Sequence, residues 1–226
     1  MTATPFADAA SDYAERGWRV FKIPPGQKIP KDRWVNGAPW EVATNDTFEI
    51  GRRKGRYPDH NIGIATGQGL AVLDVDAHHG GVVPAWAPPT LVAKTPSGGV
   101  HLYYAVDGPV PNSQSKLAPG VDVRGDGGMV VAPPSVLHNV QGNEVHEHCR
   151  YEWVGETDGI FGVVTRIAAT LLTPSGRESG NVFRGPKLGA RSFGEGERHT
   201  AMLTLAGKMR SVGCEEPEIG DRKSVV

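Results

Sequence analysis

Between Asn61 and Ala132 the sequence is a succession of short β-branched runs cut from one another by glycine and proline: Asn61 to Thr66, Leu70 to Val75, Leu91 to Thr95, Val100 to Ala105 and Met129 to Ala132. Runs this short and closely spaced favour an antiparallel or mixed sheet over a doubly wound parallel one. Gly67-Gln68-Gly69 reads as a tight, hairpin-like turn between the first two runs, and a further strand is expected near Tyr151 to Val154. The 30 glycines and 18 prolines among 226 residues agree with short elements joined by many turns, so loops are expected to carry the chemistry.

The flanking segments are helical or loop-like. Phe6, Ala9, Ala10, Tyr13 and Ala14 recur at helical spacing behind Thr4-Pro5, with Gly17 as a stop. Trp18 to Ile23 reads as a strand ended by Pro24-Pro25-Gly26, and the loop after it carries Lys28 and Lys31. Asn45-Asp46 should cap a short helix with Phe48 and Ile50 inside it and Arg52, Arg53, Lys54 and Arg56 in its later turns. After about residue 158 the texture changes: Ile160 to Leu172 has helical periodicity, Thr173 to Ser192 resembles a linker, and Glu197 to Val212 is again helical. The expected organisation is a mixed α/β unit over 1–158, a helix and linker over 159–193, a small helical unit over 194–220 and a polar tail over 221–226.

A net charge of −1 does not advertise nucleic-acid binding, although a whole-chain sum hides local clusters such as Arg52 to Arg56. Cys149 and Cys214 are too few for a disulfide framework, which points to a reducing compartment. No apolar run is long enough for a membrane span and no signal pattern opens the chain, so an intracellular protein is expected.

Three segments carry candidate chemistry. Asp74 and Asp76 lie two apart at the end of an apolar run, so a strand would project both from one face while Leu73 and Val75 face the core. Two like charges in one place are best tolerated around a cation, and carboxylate oxygens suit Mg²⁺ or Mn²⁺; a strand end turning into solvent is the alternative. Thr95-Pro96-Ser97-Gly98-Gly99-Val100-His101 could bring backbone N–H groups to phosphate oxygens, with Ser97 and His101 as further donors, or could be a plain hairpin turn. Asp122, between Val121 and Val123, is a third strand carboxylate; Asp126, before Gly127, reads better as a turn residue. His138, His146, His148 and Cys149 match no standard zinc spacing, and an exposed loop explains them as well.

Taken in order, Asn61-Ile-Gly-Ile-Ala-Thr-Gly, Leu73-Asp-Val-Asp76, Thr95-Pro-Ser-Gly-Gly-Val-His101 and Gly120-Val-Asp-Val-Arg-Gly-Asp-Gly-Gly through Ala132-Pro-Pro-Ser135 resemble the bifunctional primase-polymerase (prim-pol) domain of phage and plasmid replication proteins, in the archaeo-eukaryotic primase superfamily. The resemblance covers roughly residues 6 to 155, and the stretch from Gly196 to Arg210 resembles the helical segment that follows such domains. It implies an α+β fold, an RRM-like mixed sheet with a second α/β lobe, and a site in the cleft between them. It makes Asp74, Asp76 and Asp122 the acids that hold two divalent ions, Mg²⁺ or Mn²⁺, and Ser97 and His101 the nucleotide-contacting pair beside Gly98 and Gly99. Arg124 and Lys28 become triphosphate contacts.

The implied activity is primer synthesis on single-stranded DNA and its extension from dNTPs or NTPs, in a bacterial host cytoplasm, with a helicase module in the same replication protein and no membrane. A non-catalytic origin- or single-strand-binding module and a metal-dependent nuclease are the alternatives. The chain departs from the family pattern at Arg52-Arg53-Lys54, where tryptophans are common, and at Met129, where an aromatic is usual.

Overall fold

The computed structural model describes residues 4–30, 42–137, 149–155 and 163–174. The expected linker after Pro174, the C-terminal helical unit and the tail lie outside the described residues, as do Lys31, His138, His146 and His148.

Helix α1 (Pro5–Glu15) buries Phe6, Ala9, Ala10, Tyr13 and Ala14, the expected stripe. Pro5 opens it, where its missing N–H costs nothing, and Gly17 (φ +82°) ends it by donating its N–H to the Ala14 carbonyl. Thr4 does not cap the backbone; its hydroxyl donates to Asp8 in the first turn. Helix α2 (Thr47–Arg56) is capped as expected, the Asp46 carboxylate accepting from Glu49 N at 2.9 Å, and basic residues fill its last turn.

Two sheets share the core. The smaller has the order β1-β2-β8, all antiparallel: β1 (Val20–Ile23), β2 (Asn61–Ala65) and β8 (Met129–Ala132). The larger runs β6-β7-β3-β5-β4-β9 through β3 (Leu70–Val75), β4 (Leu91–Lys94), β5 (Val100–Asp107), β6 (Ser113–Ala118), β7 (Val121–Arg124) and β9 (Glu152–Trp153), with β10 (Thr165–Ala168) also on β5. One core joins α1, Val20, Ile62, Ile64 and Val130 of the small sheet, and Leu70, Val72, Leu91 and Tyr103 of the large one. The other face of the large sheet packs Leu73, Val75, Leu102, Tyr104, Val121 and Val123 into a second core. The architecture is thus mixed α/β, dominated by antiparallel pairing.

Two expectations need correction. Residues 67–69 do not close a hairpin: β2 and β3 belong to different sheets. Gly67, Gln68 and Gly69 all hold positive φ (+90°, +52° and +95°), and the tight Gly67–Leu70 exchange of hydrogen bonds turns the chain out of one sheet into the other. The described part of Ile160 to Leu172 is not an α-helix. It forms β10, parallel to Tyr104–Asp107, and then a 3-10 turn at Ala169–Leu172 that buries Leu172. Strand β5 is eight residues long and β4 only four, so β4 covers Val100 to Tyr103 and β10 takes the edge that remains. The sheet therefore continues past residue 158.

Candidate active site

The face of the large sheet that carries Leu70 and Val72 into the core carries Asp74 next, by the two-residue alternation of a strand. Register sets the neighbours. Asp74 lies opposite His101 on β5 and opposite Asp122 on β7, so the three form one row across three strands. Arg124, two residues beyond Asp122 on the same face, folds back over the row. Its Nη2 donates to Asp74 Oδ2 at 2.9 Å and to Asp122 Oδ2 at 3.0 Å, and its Nε reaches Asp74 at 3.3 Å. His101 Nε2 stands 3.5 Å from Asp74 Oδ1 on the other side.

Both carboxylates are further supported. Asp122 Oδ1 accepts from Ser115 N at 2.9 Å. That donor exists because β6 slips register against β7 between Ser113 and Ala118, with Ser115 at φ +49° in the slipped segment. Burial by itself pushes the Asp74 pKa up, but His101 and the Arg124 guanidinium overcome it and hold the carboxyl well below the ordinary carboxylate range. Asp74 is therefore an anion at neutral pH.

Asp76 follows directly after β3, its N–H donating to Gly120 O. Its side chain closes its own turn: Oδ1 accepts from His78 N at 2.9 Å, and Oδ2 is 2.6 Å from His79 Nδ1. Among the described residues no three His, Cys, Asp or Glu side chains stand together at metal-ligand distances. Asp74 and Asp122 converge on a shared cationic atom, Arg124 Nη2, and Asp76 faces His79 instead.

The Thr95 to Gly99 turn packs against the end of β3, where a β-carbon on Gly99 would lie 2.3 Å from Val75 O. The glycine N–H groups expected to face a phosphate are used inside the turn, Gly98 N donating to Thr95 O and Gly99 N to Thr95 Oγ1. Ser97 Oγ is 3.1 Å from Thr95 Oγ1. Lys28 sits half-buried in the loop after β1, whose Gln27 carbonyl accepts from Asn61 at the start of β2. Asp126 is the turn residue expected, accepting from Val110 N and Gln68 N.

The sequence reading overlooked what lies behind His101. Its ring is 5.8 Å from that of Tyr151 and 6.3 Å from that of Tyr103, which stacks on Trp18 and leans on Trp153. The only sequence signal was Tyr103, two residues after His101 on the same strand face. His101 is 5% exposed, and its Nδ1 and the Tyr103 hydroxyl are buried with no hydrogen-bond partner among the described residues.

The described residues thus form an α/β domain of antiparallel sheets with two carboxylates, a histidine and an arginine gathered across its central strands. The family model for the N-terminal domain of bifunctional DNA primase/polymerases matches residues 10–169, so the chain belongs to that family, whose activity is that of a primase and polymerase. No curated protein matches the chain. No helix among the described residues is long and apolar enough to cross a membrane.

Proposed function

We propose that this chain is a DNA-dependent nucleotidyltransferase that makes primers on single-stranded DNA and extends them, in phage or plasmid replication, alongside a helicase module in the same replication protein. The observation that carries this reading is the Asp74–Asp122 pair, set opposite one another by strand register and converging on one cationic atom. The large sheet is read as the family's RRM-like lobe and the small sheet with α1 and α2 as the second.

The donor set suits Mg²⁺ or Mn²⁺: hard carboxylate oxygens, two of them already aimed at a single point, with a third acid one strand step away. Arg124 supplies the positive charge that this pair requires. Divalent ions, when bound, activate the attacking 3′-hydroxyl and stabilise the departing pyrophosphate. Asp74 and Asp122 would hold them, with Asp76 as a further ligand once released from His79.

The remaining roles fall to the chain's own donors. Arg124, freed from the carboxylates, takes a triphosphate oxygen with Lys28 and Ser97. His101 fixes Asp74 from behind and offers its ring to the nucleotide.

The test is incubation with unprimed single-stranded DNA, labelled dNTPs or NTPs, and Mg²⁺ or Mn²⁺. Metal-dependent products that vanish in Asp74→Asn support the reading. DNA binding without incorporation overturns it in favour of a binding module, and shortening of the DNA overturns it in favour of a nuclease.

A further inference from the structure

A second charged feature lies away from the acid row, between α2 and the edge strand β1. It is a groove of about 500 Å³ whose lining includes Lys22, Arg52, Arg53, Arg56, Tyr57 and Glu49. Among the described residues that line it, four are cationic and Glu49 alone is acidic, on a chain whose net charge is −1. The cations are gathered by local structure. Glu49 accepts from both Arg52 (2.9 Å) and Arg53 (2.8 Å), while the Tyr57 ring collects Lys22 Nζ at 4.5 Å and Arg56 Cζ at 5.3 Å. Arg52 remains 67% exposed despite its ion pair.

The outer face of the helix beside this groove is exposed. Gly51 and Gly55, one turn apart, are exposed, and a β-carbon on either would meet nothing. Two glycines in the interior of a short helix weaken it, and no packing among the described residues requires them. They leave a strip of backbone open to close approach, flanked by Arg52 and Arg56 and headed by Phe48, which is 78% exposed.

We propose that this groove is a track for the sugar-phosphate backbone of a single nucleic-acid strand. Arg52 and Arg56 lie one turn apart, about 6 Å along the helix axis, a spacing suited to consecutive phosphates. A bilayer is the poorer occupant, because the inward residue of α2, Ile50, is fully buried and leaves no continuous apolar face to insert. The track is linked to the site through the core: Phe21, on its wall, shares a buried cluster with Tyr151, the ring against His101. The identity of the polymer rests on the reading of this chain as a template-directed enzyme; the location rests on charge and shape alone.

Binding of a fluorescein-labelled oligothymidine to the full chain, followed by anisotropy across a KCl series without divalent metal or nucleotide, tests the track apart from catalysis. Arg52→Ala/Arg56→Ala should bind about tenfold more weakly and lower the slope of log K against log salt by about 1–2. Gly51→Ala/Gly55→Ala should raise the melting temperature and yet weaken binding, a combination that a purely structural role does not produce. Asp74→Asn should bind like wild type even where it incorporates nothing. Unchanged affinity and slope in the arginine pair variant overturn the proposal, even if primers are made. So does binding to phosphatidylserine vesicles, lost in that variant, with none to the oligonucleotide.

Discussion

Asp74 and Asp122 face each other across β3 and β7, and one nitrogen of Arg124 bridges them at 2.9 and 3.0 Å. Two carboxylates and one guanidinium leave the row with a charge of −1 before His101 is counted. The acids therefore depend on Arg124 when no other cation is present, and that dependence can be measured.

Replacing Arg124 by Ala should cost only about 1 kcal/mol of metal-free stability, because the guanidinium is 40% exposed and solvent screens much of the interaction. The same variant should gain more melting temperature from added MnCl₂ than wild type does, since the uncovered acids then bind the ion without displacing a rival. A smaller gain in the variant would mean that Arg124 assists the ion instead of standing in for it.

Asp74→Asn and Asp122→Asn should each reduce nucleotide incorporation by about 10²–10⁴-fold, the several kcal/mol that cation-mediated charge stabilisation supplies. Circular dichroism should remain that of the folded protein, because the amide keeps the shape and Arg124 keeps the other acid. Incorporation at wild-type rates by either folded variant would remove these acids from the mechanism.

The metal-free protein should lose stability in acid through Asp74. Its folded-state pKa lies below the unfolded one, so the unfolded chain takes up the proton first as the pH falls. The contribution is complete above the ordinary carboxylate range, about pH 4, and drains away below it. Urea midpoints measured downward from neutral pH should fall more steeply below about pH 4 in wild type than in Asp74→Asn. Parallel curves would contradict the assignment.

Gly63 lies opposite Phe21 in the small sheet, and a β-carbon there would fall 2.2 Å from the buried ring. Gly63→Ala should cost about 1–3 kcal/mol through overpacking, read as a lower denaturant midpoint. Phe21→Leu in the same background should recover part of the loss if the ring is the obstacle.

The acids were legible because a two-residue alternation beside apolar neighbours announces which way Asp74 and Asp122 project. What alternation does not encode is register. Nothing local says that Asp74 meets Asp122 and His101 on its two flanks, or that Asp76, next in the alternation, will close a turn with His79. The Gly67-Gln68-Gly69 turn was visible, but its destination was not, since the same left-handed residues serve a hairpin or a passage between sheets. Ile160 to Leu172 has helical spacing, yet its described part, from Val163 on, was overridden by the unpaired half of β5, a tertiary demand that periodicity cannot report.

That half-strand has a practical consequence. A chain shortened before Val163 would lose both β10 and the Val163 carbonyl that receives Leu91 N–H, leaving Tyr104 to Asp107 with bare donors and acceptors along one side. Such a border invites self-association and aggregation. A minimal catalytic fragment should therefore be cut after Leu172, with its buried side chain retained as the final seal.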